Sequence, residues 1–204
     1  MSIVQSLRQW LFRFGRDEQL PIVLTQRRIF IVPTRVGLLF VVVLIVMLLG
    51  AINYDLSLGH ALVFLLAGLG IVAMVHTFRN LVALRLMPGR VDPVFAGDLA
   101  RFPLSVENTR AYPRRSLALS FVDEPGTTID VPGNDRTTAL LTSRTANRGR
   151  YDPGRITLTT RYPLGLFRAW SYPHPPFSCV VYPKPIETPL PLSAVTAHTG
   201  QHHG

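Results

Sequence analysis

The stretch "VGLLFVVVLIVMLLGAINYDLSLGHALVFLLAGLGIVAMVHTF", Val36–Phe78, holds a single formal charge, Asp55. Two apolar runs flank the short polar segment "NYDLSLGH". Each run has about the length that an α-helix needs to cross the hydrocarbon of a bilayer. A helix packed in a soluble core normally carries a polar stripe, and neither run has one. The reading is therefore a hairpin of two transmembrane helices, residues 34–79. A cleaved signal peptide fits poorly, because the first run begins more than thirty residues in and a second run comes at once after it.

Charge beside the hairpin sets an expected orientation. Arg27, Arg28 and Arg35 precede the first run, Arg79, Arg85 and Arg90 follow the second, and the turn between them has no Arg or Lys. The positive-inside rule places both termini in the cytoplasm and the turn outside. Tyr54, beside Asn53, suits the headgroup level at that outer end. Asp55 belongs to this turn rather than to an ion path through hydrocarbon, given Asn53, Ser57 and Gly59 around it. His76 lies three positions before Arg79, where an interfacial place satisfies it.

Residues 1–33 read as an amphipathic cytoplasmic segment. In "SIVQSLRQWLFRFG" the apolar residues Ile3, Val4, Leu7, Trp10, Leu11 and Phe14 recur at helical spacing, with Arg8, Arg13 and Arg16 on the flanks. Such a helix either lies on an anionic leaflet or packs against the cytoplasmic domain. Pro21 and Pro33 interrupt the path to the first run.

After Arg79 the period shortens to two. "ARFPLSVEN" sets Phe102, Leu104 and Val106 against Arg101, Ser105 and Glu107, and "SLALSFVD" aligns Leu117, Leu119 and Phe121. "RITLTTRY" groups Ile156, Leu158 and Tyr162 opposite Thr157, Thr159 and Arg161. Further strands are expected at 82–87, 137–144, 166–172 and 179–182. Turn signals separate them: "FAGD", "NTRAYP", "EPGT", "VPGND", "NRGRYDPG" and "YPHPP". About seven short strands over residues 80–186 predict an all-β, immunoglobulin-like sandwich without the Cys and Trp marks of an antibody domain. Residues 187–204 show no periodicity and read as a disordered tail or a truncated linker.

These motifs carry a resemblance. "TQRRIFIVPTRVG", "NYDLSLGHALVFLLAGLG", "HTFRNLVAL", "PVFAGDLARFPLSVEN", "NRGRYDPGRITLTTRYPLGLFRAW" and "CVVYPKP" succeed one another between Gln26 and Pro185. In that order they resemble a bacterial membrane-protein family that bears the name domain of unknown function 58. The resemblance implies an inner-membrane protein that partners a MoxR-type AAA+ ATPase. In that family the β-domain leads into a further conserved region, often compared to a von Willebrand A-like domain, and nothing up to Gly204 matches it. The expectation is thus a membrane anchor plus sandwich, or a truncated, non-functional fragment.

The net charge of +9 comes almost wholly from arginine, Lys184 being the one lysine. Arg110, Arg114, Arg115, Arg136, Arg144, Arg148, Arg150 and Arg155 are expected on a basic sandwich surface. They lack the interleaved aromatics of a single-strand nucleic-acid face, so the lipid bilayer or an acidic protein partner is the expected counterpart, and no nucleic acid. Within "TTRYPLGLFRAW", Thr159–Trp170, a strand stops at Pro163 and Gly165 and restarts, leaving Arg161 and Arg168 for solvent or a partner. Arg148 and Arg150 join them as the expected interaction surface.

No pattern points to catalysis. Cys179 has no activating base at a telling spacing, and no glycine-rich loop opens a helix. Asp123 and Glu124 point to opposite faces of a strand. His198, His202 and His203 sit in the tail without a rigid scaffold for a metal. No cofactor or metal is expected. The reading is a non-catalytic membrane protein that presents a β-sandwich as an interaction module. The alternative is a hairpin subunit of an oligomeric transport or envelope complex.

Overall fold

A computed structural model describes residues 20–122 and 124–185. The expected amphipathic stretch at 3–14, Asp123, and the tail with its three histidines lie outside the described residues.

The two apolar runs are helices, α1 (Arg35–Asn53) and α2 (Ser57–Arg79). At 1.5 Å per residue they are about 28 and 34 Å long, against a hydrocarbon core of about 30 Å. They pack on each other through small residues. Ala51 of α1 and Gly70 and Ala73 of α2 are buried, and the Phe40 ring lies against Gly70. Otherwise their surfaces are open: only 11% and 17% of their most apolar windows are buried inside the molecule. Both helices are long and apolar enough to cross a membrane, and neither is a core helix of the β-domain.

Among the described residues, twelve strands build that domain. They are β1 (Ile22–Val23), β2 (Phe30–Pro33), β3 (Leu84–Pro88), β4 (Val94–Phe95), β5 (Leu99–Asn108), β6 (Arg114–Phe121), β7 (Thr127–Val131), β8 (Asp135–Arg144), β9 (Gly149–Tyr151), β10 (Ile156–Thr160), β11 (Phe167–Ser171) and β12 (Cys179–Tyr182). One sheet runs β1-β3-β5-β8, the other β2-β11-β10-β6-β7, and β4-β12-β9 forms a small third sheet. The inward residues of the two main sheets interdigitate as in a β-sandwich. Leu86, Phe102, Leu104 and Val106 meet Leu117, Leu119, Ile156 and Leu158, all fully buried. Phe102 is the hub, edge-on to Phe121 and to Phe177 with centroids 5.3 Å apart in each pair.

All seven strands expected after the hairpin are present, with ends shifted by a few residues. The fold departs from the expected pattern in two places near the helix bases. First, β1 and β2 precede the hairpin yet belong to the sandwich: Ile22 pairs with Leu86 and Phe30 with Trp170. The boundary at residue 33 therefore divides the sequence but not the fold, and the hairpin is an insertion into the β-domain. Second, Tyr162 does not join Ile156 and Leu158. The strand ends at Thr160, which takes the inward place, while Tyr162 is 37% exposed in the turn beyond it.

Candidate functional site

Both helix bases are fastened to one end of the sandwich. Thr34 caps α1, its hydroxyl accepting from the Gly37 amide at 3.1 Å and donating to the Gly165 carbonyl at 2.6 Å. The Thr34 amide donates to the Leu166 carbonyl at 2.8 Å. The "YPLGLF" turn thus lies directly on the first turn of α1. Gly37 is needed there, because a Cβ would overlap the Leu166 carbonyl oxygen.

The base of α2 is held from β6 and β10. Asn80, 4% exposed, donates through Nδ2 to the Arg115 carbonyl and to Thr160 Oγ1, both at 2.8 Å. Its Oδ1 accepts from the Arg115 amide at 3.2 Å. Arg114 completes the clasp. Its Nη1 donates to the Arg79 carbonyl, its Nη2 to the Val82 carbonyl at 3.2 Å and its Nε to Asn108 Oδ1 at 3.2 Å. A guanidinium that covers the last carbonyls of a helix also complements the negative end of its dipole.

Arg114 points inward because β6 carries a bulge. The register against β7 shifts between Arg114 and Leu117, with Ser116 at φ 52° and its amide held by Asp130 Oδ1 at 2.7 Å. The extra residue turns Arg114 to the buried side, where plain alternation would have turned Arg115. Arg114 is 7% exposed and so does not belong to the basic surface expected for it. Burial pushes its pKa down, and repulsion from Arg110 and Arg79 adds to the shift.

Beside this clasp opens a cavity of about 710 Å³, lined among others by His76, Arg79, Arg110, Tyr112, Arg114 and Tyr162. No carboxylate of the described residues lines it. Its outer wall is the "NTRAYP" turn, which bears Arg110 and Tyr112. The Asn134 amide holds that turn at the Arg110 carbonyl, 2.8 Å away, and Gly133 lies so close to Ala111 that a Cβ would strike its carbonyl. The Arg79 guanidinium lies over the Tyr112 ring, 5.6 Å from its centroid.

The other sequence-derived residues fall into four groups. Arg27 and Arg28 are exposed on a short 3-10 turn between β1 and β2, and Arg35 is exposed at the start of α1. Tyr54, 73% exposed, and Asp55, at φ 47°, form the opposite tip of the hairpin. Arg161 and Arg168 lie at the hairpin end of the sandwich. Arg161 is exposed, whereas Arg168 is half-buried with its guanidinium 5.6 Å from the Trp170 ring centroid. Arg148 and Arg150 are exposed at the far end, where Arg150 Nε donates to Ser178 Oγ at 2.8 Å. The four arginines therefore form two pairs, separated by roughly the length of β5, about 30 Å.

Cys179 is fully buried on β12, its thiol 3.5 Å from the Asp92 carbonyl, and burial raises its pKa. Burial disfavours the thiolate there, and Cys179 packs among the apolar residues of the core. Among the described residues no three His, Cys, Asp or Glu side chains converge as metal ligands. No protein-family model and no curated protein matches the chain.

Proposed function

We propose that this chain is a non-catalytic membrane protein that presents its β-sandwich as an interaction module. In this reading α1 and α2 cross a bacterial inner membrane as a hairpin, with the sandwich and both termini in the cytoplasm. One observation carries it: both helices project from one end of a well-packed domain with apolar side chains exposed on every side. Val36, Leu39, Val46, Phe64, Leu65 and Ile71 are each 60% exposed or more. A soluble monomer rarely shows a contiguous apolar surface of this extent, whereas lipid tails solvate it without cost.

The charge distribution supports the orientation. Arg27, Arg28, Arg35 and Arg79 gather at the helix bases, while the tip with Tyr54 and Asp55 has no Arg or Lys. The order β1-β3-β5-β8 opposite β2-β11-β10-β6-β7 supports an immunoglobulin-like assignment, with β1 and β2 as added edge strands on a three-strand and a four-strand sheet. The resemblance to the domain of unknown function 58 family suggests the partner class, an AAA+ ATPase of the MoxR type. Arg148 and Arg150, far from the helix bases, are then the arginines placed to meet it, while Arg161 and Arg168 face the leaflet.

Reporter fusions after Glu187 test the topology and should behave as cytoplasmic; periplasmic activity there would sink the orientation. Mild-detergent pull-down tests the role: Arg148→Gln with Arg150→Gln should lose the ATPase, and Asp55→Asn should keep it. If the arginine pair proves dispensable while changes at Asp55 or His76 abolish activity, the chain is a subunit of a transport or envelope complex instead.

A further inference from the structure

The cavity at the base of α2 gathers more positive charge than the fold needs. Arg114 is committed to structure through three donated bonds, yet a guanidinium has five N–H groups, so two remain. Among the described residues the Arg79 guanidinium meets the face of the Tyr112 ring and no hydrogen-bond acceptor. The backbone of Arg110 is fixed by Asn108, and its guanidinium has no hydrogen-bond partner among the described residues. Three arginines thus converge on one hollow that no carboxylate lines, and the like charges around Arg114 already raise the cost of leaving it empty. The negative end of the α2 dipole opposes an anion here, but it amounts to about half a charge against three. Arg114 also covers the Arg79 carbonyl that would present that end.

We propose that this cavity binds a phosphate-bearing anion, held by Arg79 and Arg110 with Arg114 at its floor. Planar guanidinium forks suit phosphate oxygens, and the volume falls within the range of about 300–1,000 Å³ usual for small-ligand sites. Tyr112 and Tyr162 on the rim add apolar faces with polar tips. Two sources of the phosphate fit this place. One is the headgroup of an anionic lipid, which rests on the membrane reading because the cavity opens beside the last turn of α2. The other is a soluble phosphate, which does not depend on that reading.

The test uses the full chain in two arms. In the first, the protein is reconstituted in nanodiscs of phosphatidylcholine with phosphatidylglycerol, released into detergent, and its retained lipid is counted by native mass spectrometry. Phosphatidylglycerol should be retained in preference, with Arg110→Gln and Arg79→Gln each lowering retention about tenfold. Arg150→Gln, at the far end of the sandwich, should leave retention unchanged. In the second arm, inorganic phosphate is titrated against the unfolding midpoint of the detergent-solubilised chain. Protection that Arg110→Gln abolishes, without lipid preference, assigns the site to a soluble phosphate and upholds it. Equal loss from Arg150→Gln would mean bulk charge and overturn the site, as would wild-type protein that responds to neither probe. Carbonate extraction of the chain from membranes would overturn the membrane reading alone, leaving the phosphate arm to decide the site.

Discussion

The hairpin and the sandwich are both rich in Leu, Val, Ile and Phe, yet they use them in opposite ways. In β5, Phe102, Leu104 and Val106 alternate with Arg101, Ser105 and Glu107, and the apolar three are fully buried. In α1, apolar residues occupy every face, and Val36, Leu39, Val46 and Leu49 are at least 60% exposed. Alternation serves a chain with water on one side and a core on the other. Uniform apolarity serves a chain whose whole surroundings are apolar. The seam between the two regions is where polar chemistry concentrates: Asn80, Arg114, Thr34 and the backbone they bind.

The sharpest way to break this comparison deletes the same side chain from each region. Phe102→Ala should cost about 3–5 kcal/mol of unfolding free energy, since it empties the aromatic hub. Phe64→Ala, at a ring 67% exposed on α2, should cost less than about 0.5 kcal/mol. Denaturant titration in detergent measures both, and equal losses would mean that the hairpin is packed against protein. Next in size is the seam. Arg114→Ala removes a donor from three acceptors, of which Asn108 Oδ1 is buried, and should cost about 2–3 kcal/mol. Arg114→Lys should recover little, because one ammonium cannot reproduce the fork. Hydrogen exchange would show the last turn of α2 opening first; uniform loosening of the whole sandwich would place Arg114 in its core instead. The smallest effect belongs to the cap of α1. Thr34→Ala should cost about 1 kcal/mol and Thr34→Ser much less, read from the unfolding midpoint.

How much of the fold was legible in the sequence depended on how local the signal is. The helices are plain because Val36–Phe78 is apolar on every face, and seven of the strands because period two survives in each. Five strands carry no such signal. β4 has two residues, β9 sits inside the turn signal "NRGRYDPG", and β7 lies between two proline-glycine turns. β1 and β2 were hidden differently: their pairing partners lie beyond the hairpin, and no local pattern announces a contact from Phe30 to Trp170. Arg114 was misplaced because a bulge changes the facing of everything on one side of it, and Ser116 gives no sign of it. The cavity shared this fate. His76 and Arg79 come from a helix, Arg110 and Tyr112 from a turn about thirty residues on, and only the fold makes them neighbours.

The insertion of the hairpin between β2 and β3 also has a consequence for how the protein is made. The first two strands leave the ribosome early and stay without partners until the chain has gone out along α1, come back along α2 and continued. Phe30 waits for Trp170, nearly the whole length of the described chain. Such late closure is slow, and until then β3 and β11 present bare edges to any passing strand. A chain whose second helix failed to return would leave β1 and β2 apart from the domain they complete. The sandwich can close only around a finished hairpin, so its closure reports that both helices have been made and folded back on each other.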